Sequence, residues 1–320
     1  MTLVYASDAN YVALTAISAV SALTHNPGAE IVFLGYGLEA AARELVQSRV
    51  EAKGGSFRYV EVGGALENLK ARGYNGYTSY ATYARIFIPE LLAQKRVIYL
   101  DCDTLVGGSL KELWEQDLGG KPLALATDCV PWTYKRAINH PKELPYYNAG
   151  VMVIDLEAWR EHRCTERFLD ELAHPHGPNP LGDQDVFVRL FPEETALLHP
   201  KWNFISHYFL FSYAGVRRVN GGVMRLGETE YEEAQKDPRI FHFLGHTLGR
   251  PWYTSSRHPL RERYREAARE ADLALAAEQT RPMQPCYLLQ YYLHKFLPQG
   301  AFDLSCYFLY LLNIRLKYGC

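Results

Sequence analysis

The chain has 320 residues, of which 48% are hydrophobic and 22% charged, with a net charge of -2. This balance excludes a disordered chain, a collagen-like repeat and a simple coiled coil. No strong basic field is present to hold a nucleic-acid backbone, so no nucleic-acid partner is expected. At roughly 150 residues per domain, the length allows about two units.

The first apolar run, TLVYAS, predicts a strand. Tyr11 to Leu23 carries apolar residues at helical spacing, and His25-Asn26-Pro27-Gly28 closes it. IVFLGYG (31–37) predicts a second strand. LEAAARELVQSRVEAKGG predicts a helix stopped by Gly54 and Gly55, and SFRYVEV a third strand. This alternation implies a parallel sheet with helices on its faces. Tyr77 to Leu92 predicts another helix, cut at Pro89. KRVIYLDCDTLV is a continuous apolar strand ending in acid, and such strands belong at the centre of a parallel sheet. PLALATD (122–128) and GVMVIDL (150–156) predict further strands. Asp155 or a neighbour caps the helix EAWREHRCTERFLDELA. The stretch holding GDQD and KWNFISHY reads as loop-rich, and LRERYREAAREADLALAAEQ as a charged surface helix. No internal repeat is evident.

The start, MTLVYASDANYVA, has no basic segment followed by a long apolar core, so no secretory signal is expected. The longest uncharged apolar run, Ser305 to Ile314, is far shorter than the roughly 20 residues a bilayer crossing needs. A cytoplasmic chain that does not span a membrane is the expectation. The 6 cysteines form no CxxC pair and are expected to be mostly buried, inert thiols.

The strongest chemical feature is Asp101-Cys102-Asp103. In an extended segment, side chains at i and i+2 point the same way, so both carboxylates project together and Cys102 faces the opposite side. They end a central strand, where open α/β sheets bind ligands. Adjacent carboxylates repel unless a cation lies between them, and a divalent metal bridging to phosphate answers that need. Two solvated acids at a turn are the plainer alternative. His242, on the short apolar strand of IFHFLGH, is a third candidate ligand, with His246 its competitor. A mixed nitrogen and oxygen set favours Mn²⁺ over Mg²⁺.

With these blocks in order, residues 2 to about 255 resemble glycosyltransferase family 8, the retaining GT-A enzymes that include glycogenin and bacterial lipopolysaccharide galactosyl- and glucosyltransferases. The resemblance implies a Rossmann-like GT-A fold: a mostly parallel central sheet with helices on both faces. It implies a UDP-galactose or UDP-glucose donor, a divalent metal, and a sugar or lipid-linked saccharide acceptor. In VYASDANY, Ala6, Asp8 and Asn10 match the positions that contact uridine; Asp8 as a helix N-cap is the structural alternative. In SYATYARIFIPELL, Arg85 matches an arginine near the donor sugar and phosphates, or it pairs structurally with Asp101 or Asp103. Asp101 and Asp103 match the metal-binding DxD, with the Cys102 backbone near the ribose. Asp128, Asn148 and Ala149 match positions beside the donor sugar. Asp183 and Gln184 in LGDQDVF match residues beside the reacting carbon. In FHFLGHTLGRPW, His242 matches the third metal ligand and Gly245 a phosphate contact.

The pattern H-x-x-G-x-x-K-P-W is not kept, because Leu248 stands at the lysine position. Arg250, directly before Pro251-Trp252, takes the phosphate role. The implied catalytic set is Gln184, Asp183 and Asp128, with same-face attack preferred because an amide is a poor nucleophile. A catalytically silent sugar-nucleotide-binding protein and a self-glucosylating, glycogenin-like primer are the alternatives. A metal-dependent phosphohydrolase is more distant.

The motifs assign about 1–260 to one nucleotide-sugar domain and 261–320 to a helical, aromatic-rich extension. From Cys286 to Cys320 there are nine Phe or Tyr and a net charge of +2. Pro298-Gln299-Gly300 is expected to split it into two short helices. Aromatic, mildly basic helices suit a membrane interface, here the inner face; packing on the catalytic domain or a dimer contact is the alternative.

Overall fold

The computed structural model describes residues 1–71, 79–244, 247–273 and 280–318. The chain opens as expected: β1 (Thr2–Ser7), α1 (Val12–His25), β2 (Glu30–Gly35), α2 (Ala40–Ala52) and β3 (Ser56–Glu61), then α3 (Gly63–Ala71). The helix expected over 77–92 takes another form. Residues 77 and 78 lie outside the described residues. Tyr80–Phe87 is a 3-10 helix whose Ala81 N–H donates to the Ser79 hydroxyl, and α4 (Ile88–Leu91) follows. Pro89 does not cut a helix but sits in the first turn of α4, where its missing N–H costs nothing.

Next come β4 (Arg96–Leu100), β5 (Thr104–Val106), α5 (Lys111–Glu115), β6 (Leu123–Thr127), α6 (Trp132–Ala137) and β7 (Tyr147–Asp155). Asp155 caps α7 (Leu156–Glu161) by accepting the Glu157 and Ala158 N–H groups. The single helix expected there is two. Arg163, at φ 53, separates α7 from α8 (Cys164–Ala173), because a left-handed residue cannot continue the helix. The remaining elements are α9 (Asp183–Leu190), β8 (Thr195–Leu197), β9 (Phe204–Ile205), α10 (Tyr213–Val219), α11 (Glu228–Lys236), β10 (Ile240–His242), α12 (Arg261–Glu270), α13 (Pro285–Phe296) and α14 (Gln299–Tyr318).

Seven strands form one sheet in the order β3-β2-β1-β4-β7-β6-β8, which puts β4 at its centre. The pairs β1–β2, β2–β3, β1–β4 and β6–β8 are parallel, while β7 runs antiparallel to β4 and β6. The expected mostly parallel sheet is present, with one reversed strand. A smaller sheet, β5-β10-β9, stands beyond the end of β4.

Strand alternation divides the interior into two layers. Leu3 and Tyr5 of β1, Ile98 and Leu100 of β4, and Val151 and Val153 of β7 face the layer that α1 covers. Val4, Val97, Tyr99, Met152 and Ile154 face the layer that α7, α8 and α9 cover.

The C-terminal helices pack on this body. Phe302 and Cys306 enter the first layer, and Ile314 packs against the second. Buried Asp303 accepts from the Ser212 hydroxyl and Gln299, which fastens α14 to α10. The Thr247 hydroxyl donates to buried Gln290 of α13. The expected break at Pro298 is present, but α14 is a 20-residue helix rather than a short one. Among the described residues, no helix is long and apolar enough to cross a membrane.

Candidate active site

Asp101-Cys102-Asp103 is not extended. It forms the turn between β4 and β5, closed by the Thr104 N–H on the Asp101 carbonyl at 3.2 Å. The two carboxylates converge through this turn and not through strand alternation. Cys102 does face away as expected: its thiol donates to the Ala6 carbonyl and accepts from the Thr15 hydroxyl, so the turn is pinned to β1 and α1.

β10 pairs antiparallel with β5, with His242 opposite Thr104. This register delivers the imidazole to the acid pair. One ligand atom each from Asp101, Asp103 and His242 lies within 4.8 Å of the others. His242 Nε2 is 3.2 Å from Asp103 and 3.8 Å from Asp101. Its other nitrogen, Nδ1, lies 3.0 Å from Asn203 Oδ1. An amide oxygen only accepts, so this contact places a proton on Nδ1 and turns Nε2 toward the carboxylates. Gly150 makes room for the group, since a Cβ there would lie 2.1 Å from His242 Cε1 and 2.9 Å from Asp101 Oδ2.

Arg250 Nη2 stands 3.1 Å from Asp103 Oδ2 and its guanidinium lies over the Trp252 ring. Burial works against ionisation of Asp103, but Arg250 and then His242 outweigh it and hold its carboxyl down at about 2. Burial favours the neutral form of His242, yet Asp103 prevails and its pKa is raised. Acidic oxygens and one imidazole nitrogen, with the second nitrogen already engaged, suit a divalent transition cation.

Arg85 is buried and bridges two acids. Its Nε is 2.6 Å from Asp183 and its Nη1 3.4 Å from Asp101, and it also donates to the Ala149 carbonyl. The ion pair foreseen as the alternative is thus present with Asp101, and Arg85 also lines the cavity described below. Burial pushes the Asp183 carboxyl up to about 6, with Arg85 opposing. The Tyr99 hydroxyl donates to Asp101 at 2.8 Å.

The N-terminus of α9 presents Gln184. Its amide oxygen accepts from the Ala149 N–H at 3.1 Å, and its nitrogen donates to Asp128 at 3.1 Å and to the Tyr146 hydroxyl at 3.3 Å. Asp128 also accepts from Asn148 at 2.9 Å and from the Cys129 N–H. Behind them, buried Asp185 accepts from the Tyr134 and Tyr146 hydroxyls and the Leu181 N–H.

One cavity of about 980 Å³ gathers most of the sequence-derived set. Ala6 and Asp8 line it at the end of β1, together with Arg85, Asp101, Cys102, Asp103, Asp128, Asn148, Asp183, Gln184, His242 and Arg250. Asn10 is exposed and does not line the cavity, and Ala149 acts behind it through its backbone. Gly245 and His246 lie outside the described residues. Asp8 does not cap α1, which starts without a side-chain cap; it accepts from the Asn10 N–H and the Ser79 hydroxyl. Asn203, Tyr99, Tyr146 and Asp185 were not singled out from the sequence. Asn203 lies within the KWNFISHY segment, but a lone asparagine in a loop carries no pattern.

The geometry defines an α/β protein of the GT-A type, with an acid pair at the end of the central strand. The model of glycosyl transferase family 8 matches residues 2–255, and the chain belongs to this family. It is 31% identical over 195 residues to General stress protein A of Bacillus subtilis, covering 59% of this chain and 65% of that protein. It is 25% identical over 260 residues to the glycosyltransferase GlyF of Streptococcus pneumoniae, covering 81% and 59%. The chain thus spans less than two thirds of the length of either relative. Its fold is similar to that of an active-site mutant of LgtC, with a TM-score of 0.68 at 27% identity over 84% of this chain and 95% of that one. Galactosyltransferase LgtC in complex with donor and acceptor sugar analogs gives 0.67 at 25% identity, over 88% and 98%.

Proposed function

We propose that the chain moves a hexose, galactose or glucose, from a UDP-sugar to a saccharide or lipid-linked saccharide acceptor, with retention at the anomeric carbon. The observation that carries this reading is one cavity in which the Asp101–Asp103–His242 cluster and Arg250 face Gln184 and Asp128. Asp101, Asp103 and His242 would hold a divalent cation, Mn²⁺ in preference to Mg²⁺, which would supply Lewis-acid neutralisation of the diphosphate. Arg250 adds a permanent positive charge where the leaving diphosphate becomes more negative. Asp8 and the backbone of Ala6 receive the uracil and the Cys102 backbone the ribose. Asp128 and Asn148 bind sugar hydroxyls.

Gln184 has both ends of its amide fixed by neighbours, and Asp183 is engaged by Arg85. Neither is free to form a bond to carbon without breaking those contacts. Same-face attack needs no protein nucleophile, and the acceptor proton passes to a departing diphosphate oxygen. Gln184 then orients and polarises the donor sugar.

The same reading puts the chain at the cytoplasmic face of a membrane. Phe296, Phe308 and Leu304 of the C-terminal helices are 71%, 58% and 44% exposed, with Lys295 and Arg315 nearby in sequence.

The test is a panel of UDP-hexoses with Mn²⁺ and saccharide acceptors, followed by linkage analysis of the product. One hexose transferred with retention is expected, and Asp103→Asn abolishes transfer while keeping the melting temperature. No UDP release from any UDP-hexose overturns the reading. Full activity of Asp103→Asn removes the metal assignment.

A further inference from the structure

The catalytic cavity has two chemically different walls. Asp8, Arg85, Asp101, Asp103, Asp128, Asp183 and Arg250 charge one part of the lining, and Arg281, just before α13, also borders the cavity. The other part is made by the C-terminal helices, and among the described residues none of the ten from α13 and α14 that line it is charged. On α14 the lining residues Leu309, Leu312, Asn313 and Leu316 stand at i, i+3, i+4 and i+7, which is one helical face. Leu289 of α13 and Leu181, just before α9, complete the wall.

These leucines are not core. Leu181, Leu289, Leu312 and Leu316 are 43%, 50%, 54% and 78% exposed. Leucines left in water around a cavity mark a surface that an apolar ligand covers. A nucleotide diphosphate and a bare sugar offer such a wall little. At about 980 Å³ the cavity is at the upper end of the roughly 300–1,000 Å³ range of ligand sites, so a second reactant fits beside the donor.

The wall is also held in place. Gln290 accepts from the Thr247 hydroxyl, on the segment between His242 and Arg250, and Asp303 ties α14 to α10. The leucine face therefore keeps a fixed position relative to the acid pair.

We propose that α13 and α14 build an acceptor subsite for an apolar aglycone: an alkyl chain attached to the acceptor sugar lies along Leu289, Leu309, Leu312 and Leu316. The sugar hydroxyl then points toward the charged wall. This rests on the transferase reading above and names the acceptor class for that site. Each methylene removed from water contributes, so affinity climbs with chain length until the face is covered.

The test compares methyl and octyl β-glucosides and β-galactosides as acceptors, the octyl compounds below micelle-forming concentration. Binding of the same compounds to the UDP-loaded protein is measured by calorimetry. For the preferred sugar, the octyl glycoside is expected to show a KM and a Kd at least tenfold below the methyl glycoside, with similar kcat. Leu312→Asp and Leu316→Asp, both at exposed positions, bring the octyl-to-methyl ratio close to one. Equal constants for the two glycosides, or a ratio that survives both substitutions, overturn the subsite while transfer itself stands. If no sugar is transferred at all, the transferase reading fails alone, and the octyl-to-methyl Kd ratio with its loss in the two variants still decides the subsite.

Discussion

His242 Nδ1 and Asn203 Oδ1 lie 3.0 Å apart, and this contact begins a hydrogen-bond chain across the site. Asn203 donates to Asn148 Oδ1 at 2.8 Å, Asn148 donates to Asp128 at 2.9 Å, and Gln184 donates to the same carboxylate oxygen at 3.1 Å. Every donor and acceptor role is fixed by its neighbour, so no amide in the chain can flip without leaving two groups unpaired. The acid–histidine cluster and the Gln184–Asp128 pair are thereby set relative to each other.

Asn203→Ala removes the group that orients His242. Losing the partner that orients a ligating histidine lowers metal affinity by about 10–100-fold. The expected outcome is a rise of that size in the Mn²⁺ concentration giving half-maximal transfer, with much of the rate recovered at saturating metal. Stability falls by about 1–3 kcal/mol, because Asn203 is fully buried and its partners lose their bonds. An unchanged metal requirement would show that His242 needs no such orientation.

Gly150 is a steric requirement of the same cluster. A methyl there would meet His242 Cε1 at 2.1 Å, Nδ1 at 2.7 Å and Asp101 Oδ2 at 2.9 Å. The imidazole cannot retreat easily, since Asn203 holds its far side. Gly150→Ala is expected to reduce transfer by more than about 100-fold and to cost about 1–3 kcal/mol from overpacking. Gly64→Ala is the control, because a Cβ there meets nothing within 4 Å. Calorimetric Mn²⁺ binding and thermal melts read both effects, and near-normal metal binding by Gly150→Ala contradicts the clash.

Arg250 stands where a lysine was expected two positions earlier. It reaches Asp103 at 3.1 Å and lies 5.4 Å from the centre of the Trp252 ring. Arg250→Ala is expected to lower kcat by about 100-fold, the scale of losing one preorganised charge in a site of this kind. Arg250→Lys recovers only part, since an ammonium keeps the charge but loses the planar stacking on Trp252. An alanine variant with unchanged kcat would assign Arg250 to holding Asp103 alone.

Much of this frame was legible in the sequence. Continuous apolar runs announced β1, β2 and β4, and the acid pair after Leu100 marked the site, because these signals are local. Strand direction is not local. Nothing within GVMVIDL distinguishes a reversed strand from a parallel one, and β7 runs antiparallel because of the path that brings the chain back to β4. The turn at Asp101–Asp103 was read as extended, since both conformations put the two carboxylates together. Asn203 and Tyr146 escaped notice because their roles arise from neighbours distant in the chain, Asn203 being 39 residues from His242 and Tyr146 being 38 from Gln184. The leucine wall was visible as an apolar tail, but not that one of its faces borders the cavity.

Stability is expected to fall as acid is added from pH 6.5 toward 4. Burial holds the pKa of His140 and His207 down at about 4 and that of His258 at about 3. Between pH 4 and 6.5 the unfolded chain binds protons at these three rings and the native chain does not, so unfolding gains protons and stability rises with pH. Asp183 acts the other way: its native pKa of about 6 exceeds the unfolded value, so it weakens stability as pH rises through the same window. His25, His199 and His294, whose pKa values burial also lowers, add to these rings, while the raised carboxyl of buried Asp185 joins Asp183 in opposing them, and the histidines outnumber the carboxyls. Urea midpoints at pH 4.5, 5.5, 6.5 and 7.5 check this, with a climb up to 6.5 and no further climb above, where His242, whose pKa Asp103 raises, gives up its proton and that pairing weakens. His258→Phe removes one ring from the count and flattens the climb, while Asp183→Asn steepens it. A midpoint that stays level from 4.5 to 6.5 would mean that these histidines protonate in the native state.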